Sequence, residues 1–127
     1  MESCSPAPID PGAIYARIAK RSAGSVLLHF AVVKPMSAEG GTTDCITYAS
    51  SGDSLAELRD IARAMAAEFA LEDVVLVRRT GRLGLGDIIS LVAASAPCSE
   101  DAFAACRQGL ARLKRMKTIV KDEVFAR

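Results

Sequence analysis

Val74-Val75-Leu76-Val77-Arg78-Arg79-Thr80-Gly81-Arg82-Leu83-Gly84-Leu85-Gly86-Asp87, running on into Ile88-Ile89-Ser90-Leu91-Val92-Ala93, decides the fold. Two short apolar runs rich in β-branched residues flank a segment punctuated by glycines, and runs of that length suit strands better than helices. They read as a strand over Val74–Val77, a turn around Gly81, Gly84 and Gly86, and a returning strand over Ile88–Ala93. The glycine spacing fits neither a dinucleotide fingerprint nor a P-loop, since no Gly-Lys-Ser/Thr follows.

Upstream of this hairpin, Ser54-x-x-Glu57 has the form of a capping box. Leu55, Leu58, Ile61, Met65 and Phe69 then recur at spacings of three and four, which predicts an amphipathic helix to about Ala70. Cys45–Tyr48 reads as a short strand, and Pro35–Thr43, with Pro, Ser and Gly-Gly, as a mobile loop. Ser25–Lys34 is a mostly apolar run that suits a buried strand. Asp10-Pro11 starts a helix, an acceptor at the cap followed by proline in the first turn, with Ile14 and Ile18 on one face and Gly24 closing the unit. Met1–Asp10 is short and polar.

Downstream, Ser99 is the expected N-cap of a helix with Glu100 and Asp101 in its first turn. Its expected buried stripe is Phe103, Cys106, Leu110 and Leu113. Thr118–Phe125 reads as an extended tail. Helix, strands, helix, hairpin, helix and extended tail make an α+β layout with helices packed on a largely antiparallel sheet, in a single domain over residues 1–127.

Composition supports one ordinary core: 50% of the 127 residues are hydrophobic and 24% are charged. A net charge of +1 gives no global attraction to nucleic acid or membrane. Locally, residues 107–127 carry seven Lys/Arg against two Asp/Glu, and the rest of the chain nine against thirteen. A basic segment of this kind serves an anionic ligand or an acidic partner, or else is a solvated helix face. Cys4, Cys45, Cys98 and Cys106 form no C-x-x-C pair, so neither a zinc site nor a disulfide framework is expected and the thiols should be reduced. His29 lies inside an apolar strand and Cys106 on the helix stripe, both positions that suit structural roles. With no signal-like leader and no apolar run long enough to span a bilayer, the expected location is cytoplasmic.

Lys114 closes the last helix, and Lys121 follows seven residues later, past Ile119-Val120, with Arg115 and Lys117 between. A folded-back tail would bring Lys114 and Lys121 to one pocket. A lysine whose pKa falls by burial or beside another cation acts as nucleophile or general acid/base, while its neighbour holds phosphate.

The residues from Val74 to Asp87 resemble the strand–turn–strand of the molybdopterin synthase catalytic (large) subunit family, with a basic pair, then Gly, Leu and Gly-Asp. Ala102-Phe103-Ala104-Ala105-Cys106-Arg107 is similar to the family's Ala-Phe-Glu-Ala-Cys-Arg helix, and Leu113-Lys114 to the Leu-Lys at its end. Ile119-Val120-Lys121-Asp122-Glu123 matches the family's hydrophobic stretch and Trp-Lys-x-Glu, with Val120 in the tryptophan position. Gly24-Ser25-Val26 resembles the Gly-Ala-Val that opens the first strand, and the similarity runs from about residue 9 to 125. Where the family has His-Arg before the last helix, this chain has Cys98-Ser99, a small turn residue and a helix cap; Lys34 stands for a first-strand arginine and Ala31 for a glycine. Lysine keeps the charge but loses the bidentate fork.

The resemblance implies an α/β-hammerhead-type α+β fold and a homodimer. That homodimer would form a heterotetramer with a small ubiquitin-like sulfur carrier ending in Gly-Gly. It implies sulfur transfer from the thiocarboxylated carrier to cyclic pyranopterin monophosphate, a pterin monophosphate substrate, with no cofactor or metal. Lys114 and Lys121 are then the expected catalytic pair, and Lys34, Cys98, Ser99 and Lys117 the expected substrate-binding positions. The replaced His-Arg pair points to the rival reading, a silent homologue that binds the carrier or another partner without turnover.

Overall fold

The structure, a computed structural model, describes residues 1–36 and 40–125. Its strands are β1 (Glu2–Ser5), β2 (Ser25–Val32), β3 (Thr43–Ser50), β4 (Asp73–Arg79), β5 (Gly81–Gly84), β6 (Ile88–Ala96) and β7 (Ile119–Phe125). Its helices are α1 (Pro11–Arg17), α2 (Ser54–Glu68) and α3 (Ser99–Leu113). The strands form two sheets, one in the order β1-β4-β6-β2 and the other in the order β5-β3-β7. All pairings are antiparallel except β1 with β4. The α+β expectation therefore holds.

The first sheet is buried on both faces, and the two-residue period of β4 divides its side chains between them. Val75 and Val77 pack with Leu91, Ala93 and the α1 residues Ile14 and Ile18. Val74 and Leu76 pack with Val92 and Ala94 and with Leu58, Ile61 and Met65 of α2 and Cys106 and Leu113 of α3. Burying each large aliphatic side chain here contributes about 1.5–3 kcal/mol. A third cluster, Val33, Ile46, Tyr48, Leu83 and Ile89, joins the second sheet to the end of the first.

The decisive stretch differs from its simple reading in one respect. β4 and β6 do pair, from Asp73↔Ser95 to Arg78↔Ser90, but the glycine segment between them is not only a turn. Gly81, at φ +94, swings the chain out of the first sheet, and residues 81–84 pair with β3 in the second. Leu83 is fully buried there opposite Ile46. The reversal follows at Gly86, φ +82, with the Asp87 carboxylate accepting the Gly84 N–H at 2.9 Å. Two glycines in four residues hide this strand from a reading based on propensity.

Other boundaries also move. The capping box is absent: Asp53 is the cap of α2 and accepts the Ala56 N–H at 2.9 Å. Ser54 instead donates to the Thr118 carbonyl, and Glu57 is engaged by Lys117 and Thr118. The cap of α3 is Cys98, one residue before Ser99. Phe103, expected in the stripe of α3, is 57% exposed. The buried face is built from small residues, Ala102, Ala105, Cys106 and Gly109, with Leu113, so the helix lies close to the sheet. A Cβ on Gly109 would sit 2.7 Å from Met65 Sδ and 3.1 Å from Val92 Cγ1. The polar N-terminal segment supplies an edge strand, β1, because backbone pairing with β4 needs no apolar pattern. β3 extends to Thr43 and Ser50, beyond the expected Cys45–Tyr48. Of the loop expected over Pro35–Thr43, residues 37–39 lie outside the described residues; Met36 and Thr42 on either side form an antiparallel bridge.

Candidate functional site

A cavity of about 550 Å³ opens where the C-terminal end of α3 meets both sheets. Its walls follow from strand register. In the first sheet Ser90 of β6 lies between Arg78 of β4 and Ala31 of β2, so these three form one row across the helix-facing side. Serine and alanine leave that row half empty, and the cavity begins there. The opposite wall is one face of the second sheet, where Tyr48 is registered with Lys121 and Ile46 with Glu123. Leu110, Leu113, Lys114 and Met116 close the third side.

Lys114 and Lys121 both line this cavity, as does Lys34. Lys114 is the C-cap residue of α3, and its N–H returns to the Leu110 carbonyl at 3.1 Å. A turn then reverses the chain into β7. Glu57 of α2 holds that turn, accepting the Lys117 N–H at 2.8 Å, the Thr118 N–H at 3.1 Å and the Thr118 hydroxyl at 2.6 Å. The seven-residue spacing noted in the sequence is thus folded back around one cavity. Lys121 Nζ lies 3.6 Å from Glu123 Oε1, and Glu123 also accepts a hydrogen bond from the Thr43 hydroxyl.

The remaining expected positions lie elsewhere. Lys117 is exposed in the turn between the two lysines and does not line the cavity. Cys98 and Ser99 sit at the opposite end of α3, and at 1.5 Å of rise per residue they are roughly 22 Å from Lys114 along the helix. The Cys98 thiol donates to Asp101 Oδ2 at 3.2 Å.

The lining residues that the sequence did not single out as site positions include His29, Tyr48, Arg78 and Glu123. For Arg78 a signal existed, because it continues the helix-facing row of Val74 and Leu76 at a period of two. Its guanidinium carbon stands 4.6 Å from the centroid of the Tyr48 ring, in cation–π geometry. Burial pulls its pKa below the ordinary arginine value, while nearby Tyr48 and Cys4 act in the opposite direction. His29 Nδ1 and Arg78 Nε are both buried without a hydrogen-bond partner among the described residues. His29 was given a structural role in the apolar strand, but the structure sets it on the cavity wall.

Three ammonium groups and one guanidinium therefore face a part-apolar cavity that also contains the Glu123 carboxylate. Such a set has the charge to suit an anion, and lysine amines are able to act as nucleophiles or as proton donors and acceptors. Among the described residues no group of three or more His, Cys, Asp or Glu is placed to hold a metal ion. No described helix is long and apolar enough to cross a membrane.

Comparison with known proteins adds a lineage to this geometry. A family model described as MoaE protein matches residues 4–116. No curated protein sequence matches. Among solved structures, molybdopterin synthase from Staphylococcus aureus superposes with a TM-score of 0.88 at 22% identity, covering 97% of this chain and 90% of that one. Molybdopterin cofactor biosynthesis protein E from Burkholderia multivorans gives 0.82 at 24% identity, covering 99% and 88%. A complex of subunits 1 and 2 of molybdopterin-converting factor from Helicobacter pylori gives 0.70 at 11% identity, covering 99% and 90%. At these identities the structural likeness establishes the fold.

Proposed function

The chain belongs to the MoaE protein family, and from that premise we propose that it is the catalytic subunit of molybdopterin synthase. Membership supports a role in molybdenum cofactor biosynthesis. The finer reading is transfer of sulfur from the thiocarboxylated C-terminus of a small ubiquitin-like carrier to cyclic pyranopterin monophosphate. The complex of subunits 1 and 2 described for the Helicobacter pylori protein supports a two-subunit arrangement. We extend it to a heterotetramer built on a homodimer of this chain.

The observation that carries this reading is the presence of Lys114 and Lys121 on the wall of a single cavity. The carrier's Gly-Gly tail is slender enough to enter such a cavity. Its sulfur forms the new bond to a substrate carbon as a carbon–oxygen bond at that carbon breaks and its oxygen takes up a proton. Water then attacks the acyl carbon, the acyl–sulfur bond breaks, the sulfur stays on the substrate and the acyl group leaves as the carrier's carboxylate. Lys114 acts on that acyl group, as nucleophile or as proton donor and acceptor. Lys121 stabilises the negative charge that develops or holds the substrate phosphate, and Lys34 adds a further cation. Two rounds supply the two sulfurs of the dithiolene. Lys117 adds positive charge to the turn beside the mouth. Cys98 and Ser99, a helix length away, serve a substrate only across the homodimer contact.

The test is conversion of the cyclic pyranopterin precursor by thiocarboxylated carrier. Lys114→Ala should slow it at least ~10²-fold, the usual cost of losing a covalent or proton-transfer group. Unchanged turnover in that variant would remove the mechanism. A wild-type chain that binds its carrier and never turns over would identify it as a silent homologue.

A further inference from the structure

We propose that Arg78, held over the Tyr48 ring on the cavity wall, is a substrate-positioning residue whose Nε–H and outer N–H groups grip the phosphate of the pterin substrate; this deepens the reading above and rests on it.

The contrast with its neighbour is the starting point. Arg79 is used by the fold: its Nε donates to the Pro6 carbonyl at 3.1 Å and its Nη1 lies 3.9 Å from Asp87 Oδ2. Arg78 enters none of the ion pairs among the described residues, and its Nε is buried with no acceptor. A buried donor left empty costs stability unless something else repays it, and a ligand oxygen does so. The guanidinium carbon stands 4.6 Å from the centroid of the Tyr48 ring, and Tyr48, itself buried, is registered with Lys121, so the ring contact brings Arg78 up to the opposite wall that carries that lysine. Ser90 and Ala31, the small residues on the same row, leave the space in front of it open.

Charge and shape choose the ligand. Lys34, Lys114, Lys121 and Arg78 line the cavity together with one carboxylate, Glu123, an excess of positive charge that suits a phosphate. The lysines are flexible point charges. The planar guanidinium makes two parallel bonds to a phosphate and so fixes the substrate's orientation.

The experiment compares wild type with Arg78→Lys, which keeps the charge and loses the fork, and Arg78→Met. Titrations use cyclic pyranopterin monophosphate, its dephosphorylated form and inorganic phosphate, with the arginine Nε–H resonance of the wild type followed by NMR. We expect Arg78→Lys to weaken binding of the monophosphate by about tenfold or more, the scale of a charge-assisted hydrogen bond. KM should rise in proportion with kcat little changed, affinity for the dephosphorylated pterin should stay the same, and the Nε–H signal should move on adding phosphate. Equal weakening toward both pterins would mean a structural role and would overturn the proposal. So would an unmoved Nε–H signal, or one moved by a Gly-Gly peptide carboxylate and not by phosphate. If Arg78 passes and Lys114→Ala retains turnover, the catalytic reading fails and the anion site stands. If Lys114→Ala is dead and Arg78→Lys binds normally, the reverse holds.

Discussion

Glu57 and Thr118 are joined twice, the carboxylate Oε1 accepting the threonine hydroxyl at 2.6 Å and its N–H at 3.1 Å. Through this pair a helix that contributes no residue to the cavity wall fixes the turn between the two wall lysines. Lys121 therefore depends on α2 for its position as much as on its own strand.

Replacing Glu57 with alanine removes three hydrogen bonds at once, including that to the Lys117 N–H. The expected loss of stability is about 1–3 kcal/mol, read from the midpoint of urea unfolding. Glu57→Gln should lose less, since one acceptor oxygen remains. A variant as stable as wild type would show that the turn holds without the clamp.

The clamp also carries a pH dependence. Burial alone would raise the Glu57 pKa, but hydrogen bonds from the Thr118 hydroxyl and the Lys117 and Thr118 N–H groups outweigh it and hold the pKa below the ordinary glutamate value. A carboxylate depressed in the folded state stabilises fully above its unfolded pKa of ~4.3 and loses that contribution as pH falls through the folded value. The stability gap between wild type and Glu57→Gln should be constant near neutrality and close in acid, below roughly pH 4. Unfolding midpoints measured from pH 7 downward decide this.

Gly24→Ala should destabilise without touching the cavity. A Cβ at this position would lie 2.6 Å from the carbonyl oxygen of Pro97, and the Gly24 N–H is tied to the Ala96 carbonyl at 2.9 Å. The obstacle is backbone on both sides, so relief requires moving β2 against β6. A cost of about 1–3 kcal/mol is expected, with binding of the pterin unchanged.

The thiols should separate cleanly by reactivity. Cys106 is buried, and burial pushes its pKa up to about 11 against the smaller opposite effect of the Ala94 backbone hydrogen bond. Cys45 is buried as well, whereas Cys98 is exposed. Alkylation of native protein at pH 8, followed by peptide mass mapping, should mark Cys98 first and Cys106 only after denaturant is added. Early labelling of Cys106 would mean that α3 lifts from the sheet in the native state.

Much of this architecture was legible because apolar periodicity is local. Leu58, Ile61 and Met65 announce the buried face of α2, and Asp10-Pro11 announces α1. The spacing of Lys114 and Lys121 left open a folded-back tail with both lysines at one pocket or a solvated basic tail, and the family resemblance favoured the pocket. What escaped the sequence is non-local. β1 and β5 owe their existence to partners elsewhere in the chain, and neither has an apolar rhythm of its own. Phe103 was expected inside because its spacing from Cys106, Leu110 and Leu113 continues an apolar stripe, but the closeness of α3 to the sheet builds the buried face from small side chains instead. Arg78 read only as half of a basic pair. Its separation from Arg79 becomes visible only when the two sides of β4 are assigned.

The second sheet is assembled from β3, β5 and β7, three strands drawn from distant parts of the chain, and each pairing closes a long loop. Loop closure of that kind is slow and comes after local structure has formed. The helices and the central β4–β6 pair can be in place while half the cavity wall is missing. Competence is then the last thing this polypeptide acquires on folding and the first it gives up on warming, and its amide protons over residues 119–125 should exchange ahead of those in β6.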